Sequence, residues 1–153
     1  MTPTFVNPAV LAPPRGYNHG VVMPVGPDAQ LLCVAGQVGW DREGRIVGPT
    51  FAVQFEQALA NVVAVVTEAG GQPCSVIKLT IYVTDKTLYE ADIAAVGDGY
   101  RRVMGKHFPA MALVEVRGLL DPGALVEIEA MAVIATNGAS GRAGAVRGAE
   151  EVR

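Results

Sequence analysis

Few side chains in this sequence are suited to acid–base, nucleophilic or metal chemistry. Glu127 and Glu129 stand two apart in an apolar run near the end of the chain. With the two-residue period of a strand they share one face, where a carboxylate can orient water and shuttle a proton, or can simply be paired with a cation. Lys78 falls on the same face of another run and is a candidate for that pairing, because a buried carboxylate needs a partner. Tyr17 and His19 lie two apart in Gly-Tyr-Asn-His. The only other histidine is His107, and neither has an acidic or thiol partner at a telling spacing, so each reads as a surface or turn residue. The two cysteines, Cys33 and Cys74, form no Cys-x-x-Cys pair and no histidine cluster accompanies them. Neither a metal nor a cofactor is therefore expected. Cys33 reads as a buried strand residue and Cys74 as a loop thiol. With no charged-then-apolar leader, the reading is a cytoplasmic protein with reduced thiols.

The elements that must position these groups follow from periodicity. At 153 residues and 50% hydrophobic content the chain can bury one core, and it has no apolar stretch near the roughly 20 residues that cross a bilayer. A net charge of −3 without a dense basic run points away from nucleic acid and membrane surfaces, and towards small molecules or copies of the same chain. Proline-rich at its start, the chain has a first short strand at Thr4 to Val6. Val21 to Val25 and Leu31 to Gln37 flank the turn Gly26-Pro27-Asp28 and predict a hairpin. Phe51, Phe55, Leu59, Val62, Val63 and Val66 form one helical stripe, with Thr50 as N-cap and Gly70-Gly71 as its end.

Strand alternation returns at Ser75 to Val83, with Ile77, Leu79, Ile81 and Val83 on one face. A second helix is expected from about Tyr89 to Met104 on Ile93, Val96, Tyr100 and Val103, against the cost of Gly97 and Gly99. Ala112 to Val116 and Leu125 to Ile134 close the series around the turn Asp121-Pro122-Gly123. The order β-β-β-α-β-α-β-β predicts an α+β domain over residues 1–136, two helices covering one face of a mixed six-stranded sheet. Residues 137–153, glycine-rich and nearly without large apolar side chains, are expected to be a flexible tail. The other sheet face, with Lys78, Thr80, Tyr82, Glu115, Glu127, Glu129 and Met131, is mixed in character and suits a subunit interface.

Four blocks in this order, VAGQVGWDREGRIVG, QFEQALANVVAVVTEAGG, VIKLTIYVTD and FPAMALVEVRGLLDPGALVEIEAMAV, resemble the RidA (YjgF, L-PSP) family over roughly Phe5 to Ile134. The resemblance implies a chorismate-mutase-like α+β fold and a homotrimer whose sheets line a central barrel, with ligand clefts between subunits. It also implies site residues. Tyr17 matches a tyrosine lining the family cleft, Gly36 the glycine whose backbone approaches ligand, and Glu127 the glutamate that positions water. His19 joins this set by its place beside Tyr17. Members that hydrolyse 2-aminoacrylate and related enamines or imines hold the substrate carboxylate with an arginine directly after Phe-Pro-Ala. Here that position is Met111, and Leu113 makes the same wall apolar.

A thioether cannot make the bidentate pair of a guanidinium with a carboxylate, a loss of roughly 1.5 to 3 kcal/mol. The residues thus fit a hydrolase of enamines or imines that lack an α-carboxylate, with Glu127 as catalytic residue and Tyr17, His19, Gly36, Met111 and Leu113 contacting substrate. Arg117 is a possible substitute for the missing guanidinium. A ligand-binding or regulatory trimer that catalyses nothing is a second reading, and a protein-interaction role a third. No basic groove supports the ribonuclease label attached to parts of the family.

Overall fold

The structure, a computed structural model, describes residues 2–136; the tail expected over 137–153 lies outside the described residues. Six strands form one sheet: β1 (Thr4–Val6), β2 (Gly20–Pro24), β3 (Ala29–Val38), β4 (Val76–Val83), β5 (Ala110–Glu115) and β6 (Val126–Ala135). Their spatial order is β1-β2-β3-β6-β4-β5. All neighbours are antiparallel except β4 and β5, so the sheet is mixed as expected. Helix α1 (Phe51–Glu68) buries Phe51, Phe55, Leu59, Val62 and Val66 of the stripe that its spacing predicted, while Val63 is half-buried. Thr50 occupies the N-cap position in extended conformation but makes no side-chain capping bond.

The second helical region begins earlier than expected and is broken in two, α2 (Lys86–Ala91) and α3 (Ile93–Met104), with Asp92 between them. Asp85 starts α2 by accepting the Thr87 backbone N–H at 2.8 Å, satisfying one of the free donors of the first turn. Val96, Tyr100 and Met104 of α3 are buried, whereas Ile93 is 58% exposed.

One sheet face carries the helices and the core. Leu32, Val34, Leu79, Ile81, Val126, Ile128 and Ala132 all point there and are buried. Register assigns the rest, and it corrects three expectations. Ile77 is the extra residue of a β-bulge between Val76 and Lys78, so Val76 takes the core position and Ile77 is 48% exposed. Glu115 pairs with Val83 and therefore lies on the helical side, where its carboxylate accepts the Lys86 backbone N–H at 2.8 Å. Cys33 pairs with Val21 and Met131 on the open face and is exposed. Lys78, Thr80, Tyr82, Glu127, Glu129 and Met131 do share that open face.

Two buried amides on α1 tie the sheet ends to the helix. Asn61 donates to the carbonyls of Val38 and Trp40 at 3.1 and 3.0 Å. Gln54 donates to Gly48 and Gly123 and accepts the Leu125 N–H at 2.9 Å, which pins the loop carrying Asp121. A Gln54→Ala variant leaves those three part-buried backbone groups without their side-chain partner. It should lose roughly 2 to 3 kcal/mol, read as a lower urea midpoint at unchanged slope. An unchanged midpoint would mean that the loop's polar groups find other partners.

Candidate functional site

A β-bulge shapes the first cluster. The β3–β6 register slips between Val34 and Gln37, leaving Ala35 and Gly36 outside the regular ladder. Glu127 fills the space this opens. A Cβ built on Gly36 would stand only 1.9 Å from Glu127 Oε1 and 2.8 Å from its Cδ, so the carboxylate rests directly on the glycine backbone. Glu127 is half-buried. Burial above all, then the carboxylates of Asp121 and Glu129, raise its pKa above the ordinary glutamate range.

Asp121 also acts on Tyr17, whose phenol is raised first by burial and then by that same carboxylate. Tyr17, Asp121 and Glu127 are thus electrostatic neighbours, though 104 and 6 residues separate them in sequence. Reading Asp121 only as the first residue of a turn missed this. The turn is real, with the Ala124 N–H donating to the Asp121 carbonyl at 3.1 Å and Gly123 at φ 83°. It aims a third acidic group at the cluster. The pairing considered for Lys78 is not made: among the described residues no ion pair joins it to Glu127 or Glu129. Instead the Tyr82 hydroxyl donates to Glu129 at 3.2 Å, and that bond holds the Tyr82 phenol above its ordinary pKa.

His19 is a correction to its reading as a surface or turn residue. It is fully buried, and its backbone N–H donates to Asn7 Oδ1 at 2.9 Å. Its Nε2 lies 2.8 Å from the Ala12 carbonyl, which can only accept, so Nε2 carries the proton and Nδ1 accepts from Gln37 Nε2 at 3.2 Å. The ring meets Tyr17 edge-on with centroids 5.3 Å apart. His19 therefore supports Tyr17 from beneath and fixes Gln37, the residue after Gly36. His107 is held similarly by the Val76 carbonyl at 2.7 Å.

Met111 and Leu113 lie elsewhere. They pair with Leu79 and Ile81, which puts them on the helical face of β5, the strand at the sheet edge. There they line a groove of ≈ 330 Å³ between β5 and α3, together with Ile93, Tyr100, Arg101 and Phe108. Glu127 is on the opposite face of a strand two places away. A single chain thus brings Tyr17, His19, Gly36 and Glu127 together, and Met111 and Leu113 together, but does not join the two sets. Arg117 is exposed beyond the end of β5 and lines neither. No three His, Cys, Asp or Glu side chains among the described residues are grouped to hold a metal ion, and no helix among them is long and apolar enough to cross a membrane.

The chain is similar to known proteins in sequence and in fold. The family model described as Endoribonuclease L-PSP matches residues 9–134. A RutC family protein of Pyrococcus horikoshii is 35% identical over 123 residues, 76% of this chain and 94% of that protein. The 2-iminobutanoate/2-iminopropanoate deaminase of Salmonella typhimurium is 32% identical over 129 residues, 82% of this chain and 91% of its own. Among solved structures, the YjgF gene product of Escherichia coli superposes with a TM-score of 0.70 at 29% identity, covering 85% of this chain and 98% of that one. The α+β arrangement expected from the sequence is the fold of that protein.

Proposed function

From its membership of the Endoribonuclease L-PSP family, the RidA or YjgF family, to which this chain belongs, we propose that it is a cytoplasmic hydrolase of C=N bonds, acting on imines or enamines that lack an α-carboxylate. The observation that carries this reading is the Glu127 carboxylate, half-buried against the Gly36 backbone with its pKa raised. A base tuned upward from the ordinary glutamate range transfers protons more effectively near neutral pH.

In this scheme Glu127 takes a proton from water as the water oxygen bonds to the imine carbon. The C=N electron pair moves to nitrogen, which takes up a proton, giving a carbinolamine. Glu127 then returns its proton to nitrogen, and the C–N bond breaks as the hydroxyl oxygen forms the carbonyl and releases its proton to solvent. That proton replaces the one nitrogen took up from solvent, and carbonyl and ammonia leave. Tyr17, backed by His19, forms the wall beside the reacting carbon, and Gly36 lets the substrate approach the strand. Met111 and Leu113 form the apolar wall where relatives acting on imino acids need a cation.

The two sets meet only if a neighbouring copy brings its β5 edge to the Glu127 face, and the functional unit in this reading is the homotrimer that the family resemblance implies. Its support is the open sheet face, which exposes Phe5, Met23 and Val133 at 60%, 37% and 39% along with Cys33. Both cysteines are free thiols, which fits a reducing compartment. A binding or regulatory trimer without turnover is favoured by one observation, the largely apolar groove at Met111, whose lining among the described residues has no carboxylate, histidine or thiol.

The test is an imine-hydrolysis assay on protein whose light-scattering mass is that of three chains. An amino-acid oxidase generates imino acids in situ, semicarbazide traps what the protein leaves, and carboxylate-free imines run beside them. Hydrolysis of the carboxylate-free imines with imino-acid trapping unaffected is expected. Suppressed trapping of imino acids would overturn the reading of Met111, and inactivity on both would leave the ligand-binding reading.

A further inference from the structure

The groove between β5 and α3 is lined mostly by apolar and aromatic side chains, with one guanidinium among them. Ile93, Phe108, Met111 and Leu113 are 58%, 64%, 47% and 36% exposed and converge on it, a concentration of large apolar surface left to solvent. Phe108 is held in place by stacking on Tyr100, with ring centroids 5.4 Å apart and planes at 6°. Tyr100 is anchored in turn by its hydroxyl, which donates to the His107 carbonyl at 2.8 Å. One wall of the groove is thus rigid and aromatic.

Arg101 is the one charged residue among the described residues that line this groove. Its guanidinium lies over Gly97, where an added Cβ would come within 3.4 Å of Nη1 and 3.7 Å of Nη2. The glycine, costly in a helix, opens room for the guanidinium at the groove. Its present partner is Asp98, both side chains being 60% exposed. An exposed pair of this kind is weak and screened, so an incoming anion loses little by displacing Asp98. The guanidinium geometry favours planar, two-pronged acceptors such as carboxylate or sulfonate.

We infer that this groove binds amphipathic organic anions, an aromatic or branched apolar body resting on Phe108, Met111 and Leu113 with its acidic group on Arg101. The binding claim stands by itself. Its extension to substrate class rests on the hydrolase reading above: the imine would carry its acid group remote from the C=N carbon, across the apolar body, instead of on the adjacent carbon.

Two fluorescent probes of nearly equal shape test it, 1-anilinonaphthalene-8-sulfonate and its neutral twin N-phenyl-1-naphthylamine. Titrated into the intact protein, the sulfonate should bind about tenfold or more tightly to wild type than to Arg101→Gln, as expected for losing a charge-assisted contact. The neutral probe should not distinguish them, and Arg101→Lys should recover part of the difference. Gly97→Leu, which fills the groove, should weaken both probes. Equal sulfonate affinity in wild type and Arg101→Gln would overturn the anion site. Undiminished binding of both probes to Gly97→Leu would place the dyes elsewhere and overturn the groove. In the imine assay, failure of all hydrolysis with the probe results intact would sink the hydrolase reading alone. Turnover of a remote-acid imine whose KM does not rise in Arg101→Gln would sink the substrate class alone.

Discussion

Glu127→Gln is expected to lower kcat/KM for imine hydrolysis by roughly 10²- to 10⁴-fold, the span that a positioned general acid–base group ordinarily supplies. The substitution keeps the shape that rests on Gly36 and removes only the titrating charge. Stability should move the other way. Burial, Asp121 and Glu129 raise the carboxyl's pKa in the native state, so between the ordinary glutamate value and the raised one the folded chain holds more protons than the unfolded. The stability contributed by Glu127 is then fully present below the ordinary glutamate range and is lost as pH rises through the raised pKa. At neutral pH the variant should melt at or above wild type, and the gap should close in acid.

Turnover, which needs the carboxylate, should fall on acidification at a higher pH than an ordinary glutamate would give. Asp121→Asn removes one repelling charge and should shift that acid limb to lower pH. A variant slow in turnover and also less stable at neutral pH would instead make Glu127 a structural residue.

The parts of this molecule that could be read in the sequence are those where burial imposes a period. The α1 stripe is buried on one side for five turns, and its spacing announces it. Helix α2 buries no residue, so it leaves no apolar period; only Asp85 followed by Thr87 hints at its start. Strand β5 fails for the same reason. All six of its residues are exposed, parity alone cannot say which face is which, and Glu115 was accordingly placed on the wrong side. Ile77 went astray because a bulge inserts one residue into an otherwise correct alternation.

At the candidate site, alternation placed Glu127 on the open face of its strand, whereas the roles expected of Glu127 and Gly36 came from the family resemblance and contacts to distant partners were not legible. His19 is held by a backbone carbonyl and by Gln37, eighteen positions on, which no spacing rule reveals. Asp121 joins Tyr17 and Glu127 only because buried Gln54 pulls its loop onto α1. Gln54 and Asn61, seven apart on the buried stripe, are the polar interruptions that could have signalled this, since a polar side chain there must find partners.

Gly36 offers the sharper test of how the site is built. Adding a methyl group to Gly36 puts a carbon where Glu127 Oε1 now sits, at 1.9 Å, and against Cδ at 2.8 Å. These atoms are the far end of a side chain that can swing, so Gly36→Ala should cost only about 1 kcal/mol of stability while losing about 10²-fold or more in turnover. Gly39→Ala is the opposite case. Its Cβ would meet the Gln54 carbonyl at 2.7 Å and Cα at 2.8 Å, backbone of α1 that cannot swing aside, so the damage there should be to stability. If the methyl group at position 36 acts by displacing the carboxylate, shortening that side chain with Glu127→Asp should restore part of the rate in the G36A background, although the same change slows the wild type. Such a reversal of sign is an interaction energy between the two positions, readable only from the double-mutant cycle. If the methyl group instead blocks the substrate directly, the shorter carboxylate restores nothing. Wild-type turnover in Gly36→Ala would mean that the present seat of Glu127 is not its working position.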